Sequence, residues 1–280
     1  MEYRHIGVAP VAGALGAEIA GVDLRQRVSD AVIAEIRHAW LQYLVLFFRD
    51  QPLTSDQYLA FARRIAEPVE YPMLKGLDGY PLIVPVIKLP QERVNFGGLW
   101  HSDTAYLETP PIGAMLLARE VPPVGGDTLF ANMYLAYESL SDGLRRILDG
   151  LHAVNSSAKA DVTKTREDRL AEGGAKLAAD AVLNAVHPVV RTHPETGRKL
   201  LYVNGGHTVC FENMTEGEST PLLHYLFAHL CRPEFTCRLR WQPGTLALWD
   251  NRCSQHNPIN DYHGHKRVMH RISLGADRPV

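Results

Sequence analysis

Short apolar runs, closely punctuated by glycine and proline, fill the chain from Leu82 to Leu274, and that rhythm limits its fold more than any other feature. The runs are Leu82–Ile87, Gly113–Ala118, Asp127–Ala131, Val186–Thr192, Lys199–Val203, Phe235–Trp241, Thr245–Trp249 and Val268–Leu274, with Gly244 turning between Phe235–Trp241 and the run after it. Brief strands separated by turn residues are what a sandwich or barrel needs. Helical patterns interrupt them near Leu135–Gly150 and over Thr220–Cys231. The N-terminal part is more mixed. Arg4 to Val22 reads as strand and loop, and Ser29 is a helix N-cap ahead of Val32, Ile33, Ile36, Ala39 and Trp40. Tyr43–Phe48 is an unbroken run suited to a buried central strand. Thr54-Ser55-Asp56-Gln57 opens a second helix as a capping box, with Leu59, Ala62 and Ile65 behind it and Pro68 closing it. The expected fold is α+β, mainly β: a double-stranded β-helix (jelly roll) core with flanking helices. Neither a repeat nor a linker is visible, so one domain over residues 1–280 is expected.

A chain of 280 residues can bury a sizeable core without disulfides or metals as staples. Its net charge of −2 and lack of a long basic block argue against nucleic acid as a partner. Cys210, Cys231, Cys237 and Cys253 form no C-x-x-C and are expected to be reduced thiols. Met1-Glu2-Tyr3-Arg4-His5 has no signal-peptide apolar core, and Leu44–Phe48 is far too short to span a membrane. These features lead to the expectation of a cytoplasmic protein with no membrane partner.

Four polar elements carry the chemistry: His101-Ser102-Asp103, the turn Gly125-Gly126-Asp127-Thr128, the lone His256 after Trp249-Asp250-Asn251-Arg252, and the pair Arg267 and Arg271. Two histidines and one carboxylate are what an open ferrous site needs, with three positions left for substrates. On a strand, the spacing of His101 and Asp103 turns both side chains to one face. With 13 histidines in the chain, a His-x-carboxylate motif also arises by chance. The alternative for His101-x-Asp103 is a surface turn with a capping aspartate, and for His256 a hydrogen-bonded histidine in a polar turn. Two further patterns are discounted. His193-Pro194-Glu195 runs into Pro194-Glu195-Thr196-Gly197, which reads as a tight hairpin turn, and His263-Gly264-His265 lies in a polar loop. Arg267 and Arg271 share a strand face with Met269 and Ser273, and two arginines on a core-facing strand need an anion to offset their desolvation. A 2-oxoglutarate carboxylate would serve, or for Arg271 an acid on a neighbouring strand. His270 points the other way and is expected to be structural. Gly125-Gly126-Asp127-Thr128 is either a simple β-turn or a device that brings the Thr128 hydroxyl beside the carboxylate held by Arg267.

Taken in order, Trp100-His101-Ser102-Asp103, Glu108-Thr109-Pro110-Pro111, Gly125-Gly126-Asp127-Thr128, Trp249-Asp250-Asn251-Arg252 through His256, and Arg267 to Arg271 resemble the taurine dioxygenase/2,4-dichlorophenoxyacetate dioxygenase family, from about Gly7 to Pro279. The resemblance implies Fe(II) held by His101, Asp103 and His256, with O2 and 2-oxoglutarate as co-substrates. It implies that Thr128 and Arg267 bind the far carboxylate of 2-oxoglutarate. Arg271 then stands near the keto-acid end and the substrate's own anion. The implied reaction is hydroxylation of a small organic anion next to a heteroatom, with C–S or C–O cleavage, as in taurine and alkylsulfonate oxidation. Aryloxyalkanoate or alkylsulfate oxidation is the alternative. The family's habit further implies a homo-oligomer, dimer or tetramer.

The expected substrate contacts are Tyr71, Leu74, Gly97, Thr104, His207 and Arg271. Taurine-specific members are similar in outline but place a histidine and a tyrosine where this chain has Tyr71 and Leu74. They carry an asparagine at the position of Gly97 and a phenylalanine at that of His207. These departures favour a larger or differently polar substrate. Two rivals from other classes are a zinc hydrolase, which leaves Thr128, Arg267 and Arg271 without a role, and a non-catalytic barrel that binds a small acid. The charged stretch Lys159–Asp180 reads as a solvated loop or as a lid that orders over substrate.

Overall fold

A computed structural model describes residues 3–159 and 182–280, so all of the charged stretch except Lys159 lies outside the described residues. The chain opens with an antiparallel hairpin, β1 (Gly7–Pro10) and β2 (Ala17–Ala20), and β2 runs parallel to β3 (Val45–Phe48). Between them lies helix α1 (Asp30–Tyr43), capped as expected by Ser29, whose hydroxyl accepts from the Val32 N–H. It ends at Leu44, where φ is +65°, so the apolar run after it turns directly into β3. Helix α2 (Ser55–Ile65) carries the Thr54/Gln57 capping box and buries Tyr58, Leu59, Phe61, Ala62 and Ile65. The strands β4 (Pro68–Val69), β5 (Val84–Lys88), β6 (Gly113–Glu120) and β7 (Thr128–Asn132) follow. Two short helices, α3 (Met133–Glu138) and α4 (Asp142–Leu148), lead to β8 (His152–Ser156), β9 (Asn184–Pro188), β10 (Val190–Thr192), β11 (Lys199–Leu201) and β12 (Thr208–Phe211). After the helix Glu216–Leu230 come β13 (Thr236–Leu239), β14 (Leu246–Asp250), β15 (Ser254–Pro258) and β16 (Arg267–Leu274).

Eight strands form one large sheet in the order β1-β2-β3-β14-β6-β16-β4, with β5 pairing β16 as well. Three strands, β13-β7-β15, form a second sheet, β12-β8-β9 a third and β10-β11 a hairpin. The chain is mainly β, and its large sheet is covered on both faces. Alternation along β3 and β14 makes this visible. Leu46, Phe48, Leu246 and Leu248 pack with Trp40, Tyr58 and Phe61 under the helices α1 and α2. Val45, Phe47, Ala247 and Trp249 pack with Phe130 and Met269 on the other side. A strand buried on both faces loses its polar alternation, which is why Val45–Phe48 and Leu246–Trp249 are unbroken apolar runs. Each such phenylalanine or leucine contributes about 1.5–3 kcal/mol by leaving water.

Three sequence expectations are corrected here. The helix placed near Leu135–Gly150 is two helices, because the Ser141 hydroxyl accepts from the Leu144 N–H and starts α4 afresh. The run Val186–Thr192 is cut at Val189, its halves joining different sheets. The helix placed over Thr220–Cys231 begins at Glu216, where Thr215 and Glu218 form a second capping box; its apolar stripe starts later than its backbone. His193–Gly197 is the turn between β10 and β11, as expected. All four cysteines are free thiols. Among the described residues, no helix is long and apolar enough to cross a membrane.

Candidate active site

His101 and Asp103 converge with His256, which arrives from a distant part of the chain. Their ligand atoms all lie within 4.8 Å of one another. His256 is not in a turn beyond a strand but inside β15, where it pairs with Phe130 of β7. A two-bond β-bridge then joins the two histidines: the His101 N–H donates to the His256 carbonyl at 3.1 Å, and the His256 N–H to the His101 carbonyl at 3.0 Å. After that single bridge the chain turns, so Asp103 reaches the same cavity through a turn and not by strand alternation.

Neighbouring groups hold the three side chains in place. The His101 Nδ1–H donates to the Leu99 carbonyl at 2.7 Å, which leaves Nε2 as the lone-pair atom facing Asp103. The Asp103 backbone is clamped by Asn251, whose Oδ1 accepts from the Asp103 N–H at 2.6 Å while its Nδ2 donates to the carbonyls of Asp103 at 3.1 Å and Pro111 at 2.9 Å. Two glycines give the His101 side chain its room. A Cβ on Gly97, at φ +74°, would lie 2.9 Å from His101 Cε1, and one on Gly206 would lie 2.9 Å from His101 Cβ.

The electrostatics suit a cation. Asp103 Oδ1 lies 3.7 Å from His101 Nε2 and 3.8 Å from His256 Nε2. Burial pushes the His256 pKa down to about 3, with the His101 charge acting in the same direction. Burial also lowers that of His101, so both rings are neutral at neutral pH. For Asp103, burial favours the neutral acid, but Arg271 and then the two histidines outweigh it and hold the carboxyl below its ordinary range. Asp103 Oδ2 and His256 Nδ1 are buried without a hydrogen-bond partner. Two neutral imidazoles, an ionised carboxylate and an orphaned carboxylate oxygen make a set that fits a divalent metal.

The cavity around this cluster has two halves. One, between the large sheet and β13-β7-β15, is bounded by Val86, Leu116, Thr128, Phe130, Trp249 and Arg267. There Arg267 is 5% exposed, and its Nε and Nη2 have no hydrogen-bond partner. Burial pulls its pKa down, opposed by Tyr262, which is hydrogen-bonded to it, and by Asp127. The Thr128 hydroxyl accepts from Trp241 Nε1 at 2.9 Å, and the Arg267 guanidinium lies over the same indole, 5.7 Å from its centroid. The glycine turn before Thr128 is tied down by Asp261, whose Oδ1 accepts from the Gly126 N–H at 2.7 Å. A buried arginine with two unbonded nitrogens, lining the same cavity as a hydroxyl, has donors that could hold a carboxylate.

The other half is bounded by Tyr71, Phe96, Gly97, Thr104, Tyr106 and His207. Arg271, His101 and Asp103 border both halves. Arg271 does meet an acid, but that acid is the candidate ligand itself: Nη2 is 3.1 Å from Asp103 Oδ1, while Nε has no partner. The guanidinium also lies over the Tyr71 ring at 4.9 Å. His207 is not a second cation here, because burial, helped by His101, drops its pKa to about 3. Of the expected substrate contacts, Tyr71, Gly97, Thr104, His207 and Arg271 line this half. Leu74 does not; it packs beneath, with Tyr71, Met73, Val84 and Tyr106. Sequence reasoning missed Phe96 and Tyr106, which sit on turns where no periodicity marks the inward face.

The discounted histidines have other roles. His193 is fully buried, with Nε2 3.1 Å from Asp250 Oδ2. Arg252 takes both Asp250 oxygens at 2.9 and 2.7 Å and continues to Glu195, which also meets Arg37 at the surface. In the cluster His193, Asp250 and Cys253, the histidine and the carboxylate are therefore already bonded within the protein. His263 and His265 are exposed, and His270 accepts from Arg119 Nε on the opposite face of β16.

By fold and ligand set, a mainly β chain with two histidines and one carboxylate around an open cavity falls with the non-haem iron oxygenases. Residues 7–273 match the family described as "Taurine catabolism dioxygenase TauD, TfdA family", and the chain belongs to it. It is a dioxygenase of that family. It is 35% identical to the alpha-ketoglutarate-dependent sulfate ester dioxygenase of Pseudomonas putida, over 99% of this chain and 91% of the other. It is 34% identical to the (S)-phenoxypropionate/alpha-ketoglutarate-dioxygenase of Sphingobium herbicidovorans, over 96% and 95%. A crystal structure of a taurine dioxygenase from Burkholderia xenovorans superposes with a TM-score of 0.84 at 36% identity, over 99% of this chain and 93% of that one.

Proposed function

We propose that this chain is an Fe(II)- and 2-oxoglutarate-dependent dioxygenase. It hydroxylates a small organic anion at the carbon bonded to its heteroatom, with C–O or C–S cleavage following. The observation that carries the reading is a cavity in which the His101/Asp103/His256 cluster lies between Arg267, buried with Nε and Nη2 unbonded, and an aromatic half capped by Arg271. His101, Asp103 and His256 hold the iron, which supplies oxygen activation when bound. Thr128 and Arg267 bind the far carboxylate of 2-oxoglutarate, and Arg271 faces the anionic group of the substrate. A hydrolase would give the Thr128–Arg267 pair no task, and a simple acid-binding barrel would not need the three-ligand cluster. The cavity between the large sheet and β13-β7-β15 supports reading these sheets as a double-stranded β-helix, and the shared cores support a single domain.

The walls favour an apolar body on the substrate. Tyr71, Phe96, Leu99 and Tyr106 line the second half, and among the described residues its only carboxylate is Asp103. The ammonium of taurine would find no ion partner there, whereas an alkyl chain or an aryl ring would be covered. Alkyl sulfates and aryloxyalkanoates are therefore the proposed substrates, ahead of taurine. The test is anaerobic titration of the apoprotein with Fe(II) and 2-oxoglutarate, following the visible metal-to-ligand charge-transfer band, and then addition of hexyl sulfate, phenoxyacetate or taurine. The band should form in the wild type, vanish in His256→Ala and shift with the first two acids. Iron binding without a band would overturn the co-substrate site. A shift with taurine alone would overturn the substrate reading.

A further inference from the structure

We propose that Lys88 is a further anion-binding residue of the co-substrate site, its ammonium meeting the far carboxylate of 2-oxoglutarate together with the Arg267 guanidinium. This rests on the assignment of Arg267 and Thr128 above. Lys88 ends β5 and pairs directly with Arg267 across the antiparallel β5–β16 ladder, with Val86 opposite Met269 and Val84 opposite Arg271. Residues opposite one another in such a ladder project from the same face, with Cβ atoms about 4.5–5.5 Å apart. Val86, two residues before Lys88, and Arg267 both line the co-substrate half of the cavity. Lys88 is therefore an inward residue beside Arg267, at the edge of that lining.

Lys88 is 4% exposed, and its Nζ has no hydrogen-bond partner among the described residues. Lysine is almost never so buried unless it is paired, and like charges directly opposite destabilise a ladder. The contact Lys88 does make is with the Tyr262 ring, whose centroid lies 4.4 Å from Nζ. That contact offsets part of the desolvation, but a ring face accepts no strong hydrogen bond. Tyr262 is hydrogen-bonded to Arg267, so the two cations share one wall. The nearby acids bond other groups, Glu92 Oε2 accepting from the Leu89 N–H. Asp127 Oδ2 accepts from Arg238 at 2.7 Å, and Asp261 Oδ1 from the Gly126 N–H. Two inward cations are thus left without an anionic partner, with Lys88 Nζ and Arg267 Nε and Nη2 unbonded, and a carboxylate has lone pairs enough for a guanidinium, a hydroxyl and an ammonium together.

The test compares two ligands, 2-oxoglutarate and 2-oxopentanoate, which has the same chain without the far carboxylate. Each is titrated anaerobically into Fe(II)-loaded wild type, Lys88→Met, Lys88→Arg and Arg267→Ala, reading the charge-transfer band. Lys88→Met should weaken 2-oxoglutarate by at least about tenfold and leave 2-oxopentanoate within about twofold. Lys88→Arg should recover most of the loss. Without ligand, Lys88→Met should melt no lower than wild type, since it removes an unpaired buried charge and keeps the stem. Equal weakening of both ligands, or weakening of neither, overturns the proposal. If Arg267→Ala discriminates between the ligands and Lys88→Met does not, the Lys88 proposal alone fails. If Arg267→Ala does not discriminate either, the carboxylate site itself is misassigned.

Discussion

Asn251 offers a sharp test of how the metal cluster is held, because it touches no ligand atom and yet fixes the backbone of Asp103. Its side chain is 1% exposed and makes three bonds, one accepted from the Asp103 N–H and two donated to the carbonyls of Asp103 and Pro111. In Asn251→Ala those three backbone groups are left buried without partners. At about 1–3 kcal/mol each, with partial relief by entering water, the loss is on the order of 3–6 kcal/mol. Domains are stable by about 5–15 kcal/mol, so the variant should fold with little margin. Freed from its clamp, Asp103 should also hold metal less well, by about ten- to a hundredfold, the usual cost of losing an outer partner of a ligand. Asn251→Asp retains the acceptor but turns an oxygen towards two carbonyls, so it should be no milder. Urea unfolding followed by circular dichroism gives the first quantity and calorimetric metal titration the second. An Asn251→Ala protein within about 0.5 kcal/mol of wild type, binding metal equally well, would refute the reasoning.

Three other outcomes are expected. Arg267→Ala should raise the 2-oxoglutarate requirement by about tenfold or more and far more than Arg271→Ala does, in the same band titration; equal effects would reverse the assigned roles. Gly97→Ala and Gly79→Ala share left-handed backbones, at φ +74° and +76°, but only the first would drive a Cβ against His101. Both should lose about 1–2 kcal/mol of stability, while metal affinity should fall only in Gly97→Ala. Finally, burial alone would raise the pKa of Asp250, yet its bonds from Arg252 and His193 bring it down to about 2. A folded-state pKa below the unfolded one stabilises above the unfolded value, and the gain is lost as pH falls through the folded value. The stability gap between wild type and Asp250→Asn should therefore be flat above about pH 4 and close towards about pH 2. A gap that widens with acid would show that Asp250 is not held as the anion.

The sequence was most legible where one local rule acts alone. Ser29 and the Thr54/Gln57 box cap their helices as read, because capping needs only neighbours in the chain. The iron-ligand candidates were legible as residue types, but the strand that carries His256 was not. Ser254, Gln255 and His256 form a polar segment in which Ser254 Oγ donates to the Asp250 carbonyl at 2.6 Å and Gln255 Nε2 to the Val203 carbonyl at 2.7 Å. Hydrophobic alternation cannot mark a strand whose burial is satisfied by such bonds. Leu74 was misplaced for the opposite reason: its apolar character says that it is buried, not whether it faces the cavity or the packing beneath. Lys88 was overlooked because a lysine at the end of an apolar run reads as a solvated strand end. Only the register with Arg267 turns it inward.

Arg271 borders both halves of the cavity while it ion-pairs with Asp103. On the site proposed above, the two acids would therefore not bind independently. Whichever arrived first would draw on the same guanidinium and alter the field met by the second. Linkage then requires that each acid change the affinity of the other by the same factor, whatever the order of arrival. In a cell this makes occupancy by the scarce substrate depend on the supply of a common metabolic acid, so the enzyme's apparent appetite for one would track the abundance of the other.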